Sequence, residues 1–303
     1  MQRANVLGTA LLIASTLATA APASAQITVG ADVSVFSAYV WRGLSLTNKP
    51  VLEPDVYLTI PAGNAGITAG MWANIDLGKY DDLSDDISES GALSGFNFSE
   101  LNPWLEVSYP VGQAALTGGG IAYIYPNDVG SSTDINDFGL LTSESNTVEI
   151  YGKLAVDVPL SPELAVYYDV DKIKGAYFEG SVSHTLAASE TVGIALGALA
   201  GVSAGQGIND SDPDESSNFD DDGFTHLDLS AGVPLTAGAF EITPALHLII
   251  GGDDRVKIKS PTDASDAKLW GGVTIAWSKD YGAAEKEEEE GEEGEETPGK
   301  AEE

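Results

Sequence analysis

Cysteine is absent from the 303 residues of the chain, and basic residues are scarce. The lack of cysteine excludes disulfides, thiolate metal sites and cysteine nucleophiles. Only 14 Lys and Arg residues stand against 47 Asp and Glu residues, which gives a formal net charge of -33. Nucleic-acid binding needs clustered basic side chains that neutralise phosphates, so this composition argues against nucleic acid as a partner.

Long apolar runs are also missing. After the N-terminus no segment approaches the roughly 18 uninterrupted apolar residues that a membrane-spanning helix requires. Residues 1–25 combine a basic start, an apolar core and a small-residue site at Ala23, Ser24 and Ala25, which is the form of a secretory signal peptide. We therefore expect an exported protein that can enter a membrane only as β-strands.

Two-residue periodicity dominates the rest of the chain. In residues 53–78, apolar and polar side chains alternate on both sides of a tight turn with the sequence PAGNAG. Such alternation indicates a strand with one apolar and one polar face, and a tilted strand of roughly 9–11 residues spans a bilayer. The unit recurs between residues 26 and 279, and the Glu-rich tail at 280–303 is too charged to fold.

The connections between the expected strands alternate in length. Short turns follow Ile60, Tyr109, Val158, Leu186 and Val233, and the remaining connections are longer and mostly polar. Outer-membrane barrels have short periplasmic turns, long extracellular loops and an even number of strands. The sequence therefore predicts an all-β fold, a transmembrane antiparallel up-and-down β-barrel of about 12 strands in the cell outer membrane.

Alternation alone does not decide which face points inward, and a soluble lipocalin-like barrel or a sandwich is the alternative. Three features favour the membrane barrel. The apolar faces of so many strands exceed what a small barrel interior holds, and the signal peptide directs the chain to the cell envelope. Aromatic residues also lie near strand ends, where membrane girdles sit, at Tyr39, Trp41, Tyr109, Tyr168 and Trp277.

Three motifs resemble the TorF porin family. Residues 37–47 with Pro50 (SAYVWRGLSLT, then P) look like its first signature, residues 70–76 (GMWANID) like its second, and residues 123–126 (YIYP) like its third. The resemblance extends over most of residues 29–200. It implies an outer-membrane barrel and a porin without an established solute. The long Asp-rich loops and the acidic tail depart from the family pattern.

If the apolar faces meet lipid, the polar faces line the lumen, and an acidic lining favours cations over anions. The hypothesis is a narrow diffusion pore for small, preferentially cationic or neutral solutes. The alternative is a filled barrel, in which the acids pair with the few bases and with aromatic side chains. The predicted lumen residues are Asp32, Arg42, Asp55, Trp72, Asp76, Trp104, Glu106, Glu149, Lys153, Asp169, Glu179, Asp228 and Glu241.

Other functions have weaker signals. The Asp-rich loops could bind calcium, although their spacing does not match an EF-hand loop. The alternative function is a non-conducting outer-membrane barrel with a structural or surface-interaction role, with or without calcium. An outer-membrane lipase needs a paired serine and histidine, whereas adjacent Ser183 and His184 point to opposite faces. We expect no enzyme activity, no metal centre and no cofactor. The expected partners are the lipid bilayer, lipopolysaccharide and small solutes or cations.

Overall fold

The computed structural model describes residues 26–82, 84–87, 95–126, 145–209, 211 and 216–282. The predicted signal peptide, nearly all of the predicted acidic tail and parts of three loops lie outside these ranges. The long strands within them are β1 (Ile27–Phe36), β4 (Val51–Ala62), β5 (Ala65–Asp76), β6 (Asn97–Val111), β7 (Ala114–Tyr123), β8 (Thr147–Val156), β9 (Glu163–Asp169), β10 (Ala176–Ala187), β11 (Gly193–Ala204), β12 (Gly223–Gly232), β14 (Phe240–Gly251) and β17 (Ala267–Tyr281).

These twelve strands of the described chain form one closed antiparallel ring. Each pairs with the long strand before it and the one after it along the chain. Closure comes from β1, which pairs with β4 on one side and with β17 on the other, from Ile27 opposite Tyr281 to Phe36 opposite Gly272. The predicted up-and-down barrel of 12 strands is confirmed, and the last strand ends two residues beyond the expected boundary at 279.

Several short elements decorate the barrel. The hairpin of β2 (Tyr39–Trp41) and β3 (Leu44–Thr47) follows β1, and β13 (Leu235–Ala237) extends the pairing at the start of β14. The one-turn helix α1 (Asp254–Lys257) and the strands β15 (Ile258–Ser260) and β16 (Asp263–Ala264) lie between β14 and β17. In the described part of the chain, no helix is both long enough and apolar enough to cross a membrane.

The two ends of the barrel differ in their connections. Two-residue turns at 63–64 and 112–113 join β4 to β5 and β6 to β7 at one end. The longest connections, residues 77–96, 124–146, 205–222 and 252–266, lie at the other end. By the rule for outer-membrane barrels, the short turns face the periplasm and the long loops face the cell exterior.

The outer surface of the barrel is apolar, and its inner surface is polar. Large aliphatic side chains stand exposed on every long strand, among them Leu164 at 63%, Leu246 at 58% and Leu269 at 71%. Glu, Asp, Asn and Thr side chains of the same strands are buried inside the ring. A soluble barrel would have the reverse arrangement. The protein is an outer-membrane β-barrel.

The predicted aromatic girdle is correct in part. Tyr109, near the periplasmic end of β6, and Tyr168, near the extracellular end of β9, stand exposed on the outer surface. Trp277 is half-buried near the periplasmic end of β17, on the same face as Val273 and Ile275. The prediction is wrong for Tyr39 and Trp41, because the chain leaves the wall after Phe36 and carries both residues into the barrel on β2.

Candidate functional site

The β2–β3 hairpin turns at Arg42 and Gly43. Both residues have positive φ, +48° for Arg42 and +81° for Gly43. Positive φ at both central positions is the signature of a type I′ turn, whose twist matches that of a two-stranded hairpin. Val40 and Tyr39 on β2 are almost completely buried, and Thr47 at the end of β3 is buried as well. The hairpin is therefore a packed element and not a surface loop.

Arg42 at the tip binds the far wall of the barrel. Its guanidinium donates two hydrogen bonds to the carboxylate of Glu149 on β8, Nη1 to Oε1 at 2.8 Å and Nη2 to Oε2 at 2.7 Å. The hydroxyl of Tyr123 donates a third bond to Glu149 Oε2 at 2.8 Å. The guanidinium also lies 4.7 Å from the ring centre of Tyr167 and 4.4 Å from that of Tyr177. Planar, two-pronged and stacked contacts of this kind suit arginine and not lysine.

Two further contacts fix the hairpin to other strands. Lys268 Nζ on β17 donates to Gly43 O at 2.8 Å and to Ser45 Oγ at 2.9 Å. Tyr39 OH donates to Glu100 Oε2 on β6 at 2.8 Å. Because β8 and β17 lie on opposite sides of the ring, the hairpin must cross the interior. All three wall residues lie in the extracellular half of their strands.

Residues from the extracellular loops complete the packing around the hairpin. Phe219 stacks on Tyr177 with ring centres 5.8 Å apart and an interplanar angle of 13°, and both side chains are fully buried. Val256 of α1 belongs to the same apolar cluster, and Tyr80 is hydrogen-bonded to Thr47. The extracellular half of the barrel interior is thus a packed core.

Further polar and aromatic side chains of the inner wall form pairs outside the contacts of the hairpin. Tyr151 OH donates to Glu106 Oε2 at 3.0 Å, and Lys153 Nζ lies 4.8 Å from the Tyr151 ring centre. Trp104 Nε1 donates to Asp55 Oδ1 at 3.4 Å. Acid–aromatic contacts of this kind are the ones expected for a filled barrel. Other inward-facing acids are still partly exposed.

A His–Asp pair lies on β12 and β14, across the ring from β6. His247 Nδ1 is 3.0 Å from Asp228 Oδ2, and the imidazole stacks on Trp270 with ring centres 4.3 Å apart. Ser230 is the cross-strand neighbour of His247, a pairing that the sequence reasoning missed. Among the described residues His247 Nε2 has no hydrogen-bond partner, so no Ser–His pair of the hydrolase type is formed.

The predicted lumen residues occupy the following positions. Arg42 lies at the hairpin tip, and the other twelve lie on the inner face of barrel strands, as their burial and the two-residue period show. Contact of these side chains with a continuous water path stays a prediction. Sequence reasoning missed the hairpin itself, because Arg-Gly is not among the common two-residue turn sequences such as Asn-Gly.

The extracellular loops contain ordered acidic residues. The Asp222 carboxylate accepts hydrogen bonds from Ser203 Oγ at 2.9 Å and from the backbone N–H groups of Gly205, Gln206 and Gly207 at 2.7 to 3.1 Å. Partial burial alone would raise the pKa of Asp222, but these bonds outweigh it and lower the pKa below its ordinary value. Within the described ranges, no three His, Asp or Glu side chains form a group that could hold a metal ion.

Comparisons with known proteins give similarity of architecture alone. No family model and no curated protein matches the sequence. An outer-membrane channel from Pseudomonas putida F1 is similar over 88% of this chain and 100% of its own, with 9% identity and a TM-score of 0.48. LpxR from Salmonella typhimurium covers 82% of this chain and 99% of its own, with 8% identity and a TM-score of 0.43. The toluene transporter TodX of P. putida covers 87% and 92%, with 10% identity and a TM-score of 0.40.

Proposed function

We propose that the protein is a small outer-membrane channel of the TorF porin type, through which small cationic or neutral solutes diffuse passively. The observation that carries the proposal is the inversion of the barrel, with an apolar outer wall and an inner wall rich in ionisable groups. The proposed function requires neither a cofactor nor a catalytic group, and its expected partners are bilayer lipid, lipopolysaccharide and the solute.

The charge of the interior supports a preference for cations. Carboxylates far outnumber bases among the inward-facing residues, and Arg42 is already neutralised by Glu149. Asp55, Glu163 and Glu179 are only partly buried on the inner wall, so their carboxyl groups are available to line the proposed path. A ring of acidic side chains lowers the energy of a cation in a narrow pore and raises that of an anion.

The β2–β3 hairpin sets the width of the proposed path. A barrel of twelve strands is narrower than the porins of 16 to 18 strands, and here the hairpin fills its extracellular half. Solutes would pass between the hairpin and the wall, or when the hairpin shifts. Conductance is therefore expected to be small and to increase when the contacts of Arg42 are removed.

Planar-bilayer recordings test this proposal. The wild-type protein should give small single-channel steps with a reversal potential of cationic sign in a potassium chloride gradient. Arg42→Ala should give larger steps, whereas Lys257→Ala, which removes a surface pair with Asp254, should match the wild type. Liposome swelling with neutral and charged solutes of graded size would then define the limits of permeation. Anion preference would contradict the proposal.

A non-conducting barrel with a structural or surface-interaction role is the second candidate. The packing of Phe219, Tyr177 and Val256 around the hairpin favours this candidate, because these side chains are buried like those of a protein core and leave the hairpin little freedom to move. Absence of steps in both the wild type and Arg42→Ala would decide for this candidate. Calcium binding by the Asp-rich loops belongs to the same alternative and is measured separately, by calorimetric titration.

A further inference from the structure

We propose that Glu53, Asn74, Glu100 and Asn102 form a buried calcium site on the inner wall of the barrel, beside the hairpin. The four side chains come from three consecutive strands, β4, β5 and β6. None of the four belongs to the Asp-rich loops or to the predicted lumen residues, although the lumen residue Asp76 accepts a hydrogen bond from Asn74. The ligands of the site would be carboxylate and amide oxygens, the groups that Ca²⁺ prefers in proteins.

Strand register brings the four residues together. Asn74 on β5 is the direct cross-strand partner of Glu100 on β6, and Asn102 follows two positions later on the same face. On the other side of β5, the pairs Val51 with Asp76 and Asp55 with Trp72 bracket Glu53 and Asn74. All four site residues are buried, with exposures of 4% for Glu53, 0% for Asn74, 3% for Glu100 and 1% for Asn102.

Three oxygens of this group lack donors. Among the described residues, Glu53 Oε1, Asn74 Oδ1 and Asn102 Oδ1 are buried without a hydrogen-bond partner. Buried polar atoms are almost always paired, and an unpaired one is costly, so three acceptors on adjacent strands are unusual. A cation with oxygen ligands would satisfy them together.

The orientation of both amides is fixed by their nitrogen atoms. Asn74 Nδ2 donates to Asp76 Oδ1 at 2.8 Å and to Ser99 Oγ at 2.6 Å. Asn102 Nδ2 donates to Glu100 Oε1 at 2.6 Å. Exchanging O and N in either amide would place an oxygen against a carboxylate. The unpaired atoms are therefore oxygens, which are cation ligands, and not N–H groups.

The charge of the group also favours a divalent cation. Glu53 on β4 and Glu100 on β6 flank Asn74 from its two neighbouring strands, so two carboxyl groups face one small region of the wall. In the described part of the chain, no Lys or Arg forms an ion pair with Glu53. Tyr39 OH donates to Glu100, so a bound ion would also brace the wall that holds β2. Two carboxylates balance the charge of Ca²⁺, and together with the two amide oxygens they would supply about four to six of its six to eight ligands.

Terbium luminescence of the folded full-length barrel in detergent tests the site. Tb³⁺ replaces Ca²⁺, and Trp72, two residues before Asn74, is placed to transfer excitation to it. We expect saturable emission that Ca²⁺ displaces, and Glu53→Gln should weaken Tb³⁺ binding at least tenfold. The control is Asp82→Asn with Asp86→Asn, which removes loop carboxylates and should leave this signal unchanged. Chelation with EDTA should lower the unfolding temperature of the wild type more than that of Glu53→Gln.

Two results would overturn the proposal. Equal Tb³⁺ titrations for the wild type and Glu53→Gln would place all bound metal elsewhere. No saturable binding, together with an infrared carboxylic-acid band that Glu53→Gln removes, would show that a proton on Glu53 satisfies the group instead. Neither readout depends on conductance, so the channel proposal is tested independently.

Discussion

At the scale of single residues, Arg42 joins the hairpin to the barrel wall. It adopts a positive φ that costs a non-glycine residue free energy, and it loses the hydration of its charge. Both costs are offset by contacts that only a guanidinium makes at once, namely the two bonds to Glu149 and the stacking against Tyr167 and Tyr177. The sequence shows an Arg-Gly pair, but it does not show Glu149, which lies more than a hundred residues away.

Replacing Arg42 by alanine should destabilise the barrel by about 3 kcal/mol or more, because Glu149 is left as a buried charge without its cation. Urea-induced unfolding in lipid vesicles measures the change. The control Lys257→Ala removes a surface pair with Asp254 and should change the free energy of unfolding far less. Equal effects of the two substitutions would mean that water solvates Glu149 without the hairpin.

Asp222 makes the loop at 205–222 sensitive to acid. Its folded-state pKa is lowered, so its stabilisation is fully present above the ordinary carboxyl range of about pH 4 and is lost as the pH falls through the lower folded value. Asp222→Ala should weaken this loop by about 1 kcal/mol at neutral pH. Hydrogen exchange of the amides of Gly205–Gly207 should therefore be roughly fivefold faster, whereas the neighbouring Asp221→Ala should not change it. A ratio that persisted at low pH would contradict this reading.

At the scale of elements, the β2–β3 hairpin marks the limit of sequence reasoning. Every barrel strand was predictable because lipid on one side and polar interior on the other impose a two-residue period. The hairpin contacts lipid on neither side, so its sequence lacks this two-residue period. Nothing in the sequence therefore separates β2 from the end of β1. The aromatic residues of the hairpin were assigned to the membrane girdle for the same reason.

Alanine substitutions at two glycines with positive φ distinguish the cost of backbone strain from the cost of steric crowding at the hairpin tip. A Cβ on Gly43 would lie 2.7 Å from His226 Cγ, whereas a Cβ on Gly63, in a periplasmic turn, would meet nothing within 4 Å. Gly63→Ala should cost about 1 kcal/mol from the left-handed backbone alone. Gly43→Ala should cost about 2 kcal/mol more, because the hairpin tip or His226 must move. Thermal unfolding of both variants measures the difference, and equal losses would show that the tip has free space around it.

At the scale of the whole molecule, the closed ring, the strand number and the apolar outer face followed from the sequence. Each depends on a pattern repeated twelve times, so a local error at Tyr39 or Trp41 did not change the result. The contents of the lumen did not follow, since they depend on single contacts between residues distant in the chain, such as Lys268 with Gly43. The pattern predicted which residues face inward but not which of them are covered by the hairpin.

The lipid-facing assignment of the outer wall leads to a depth-dependent prediction. Ile150 lies in the middle of β8 and Leu186 at the periplasmic end of β10, and both are about half exposed, 53% and 50%. An arginine costs about 2–4 kcal/mol at the bilayer midplane and about 0–1 kcal/mol near the interface. Ile150→Arg should therefore lower the free energy of folding into vesicles far more than Leu186→Arg. In water the two sites would be equivalent surface positions, so equal and small effects would mean that this wall does not face lipid.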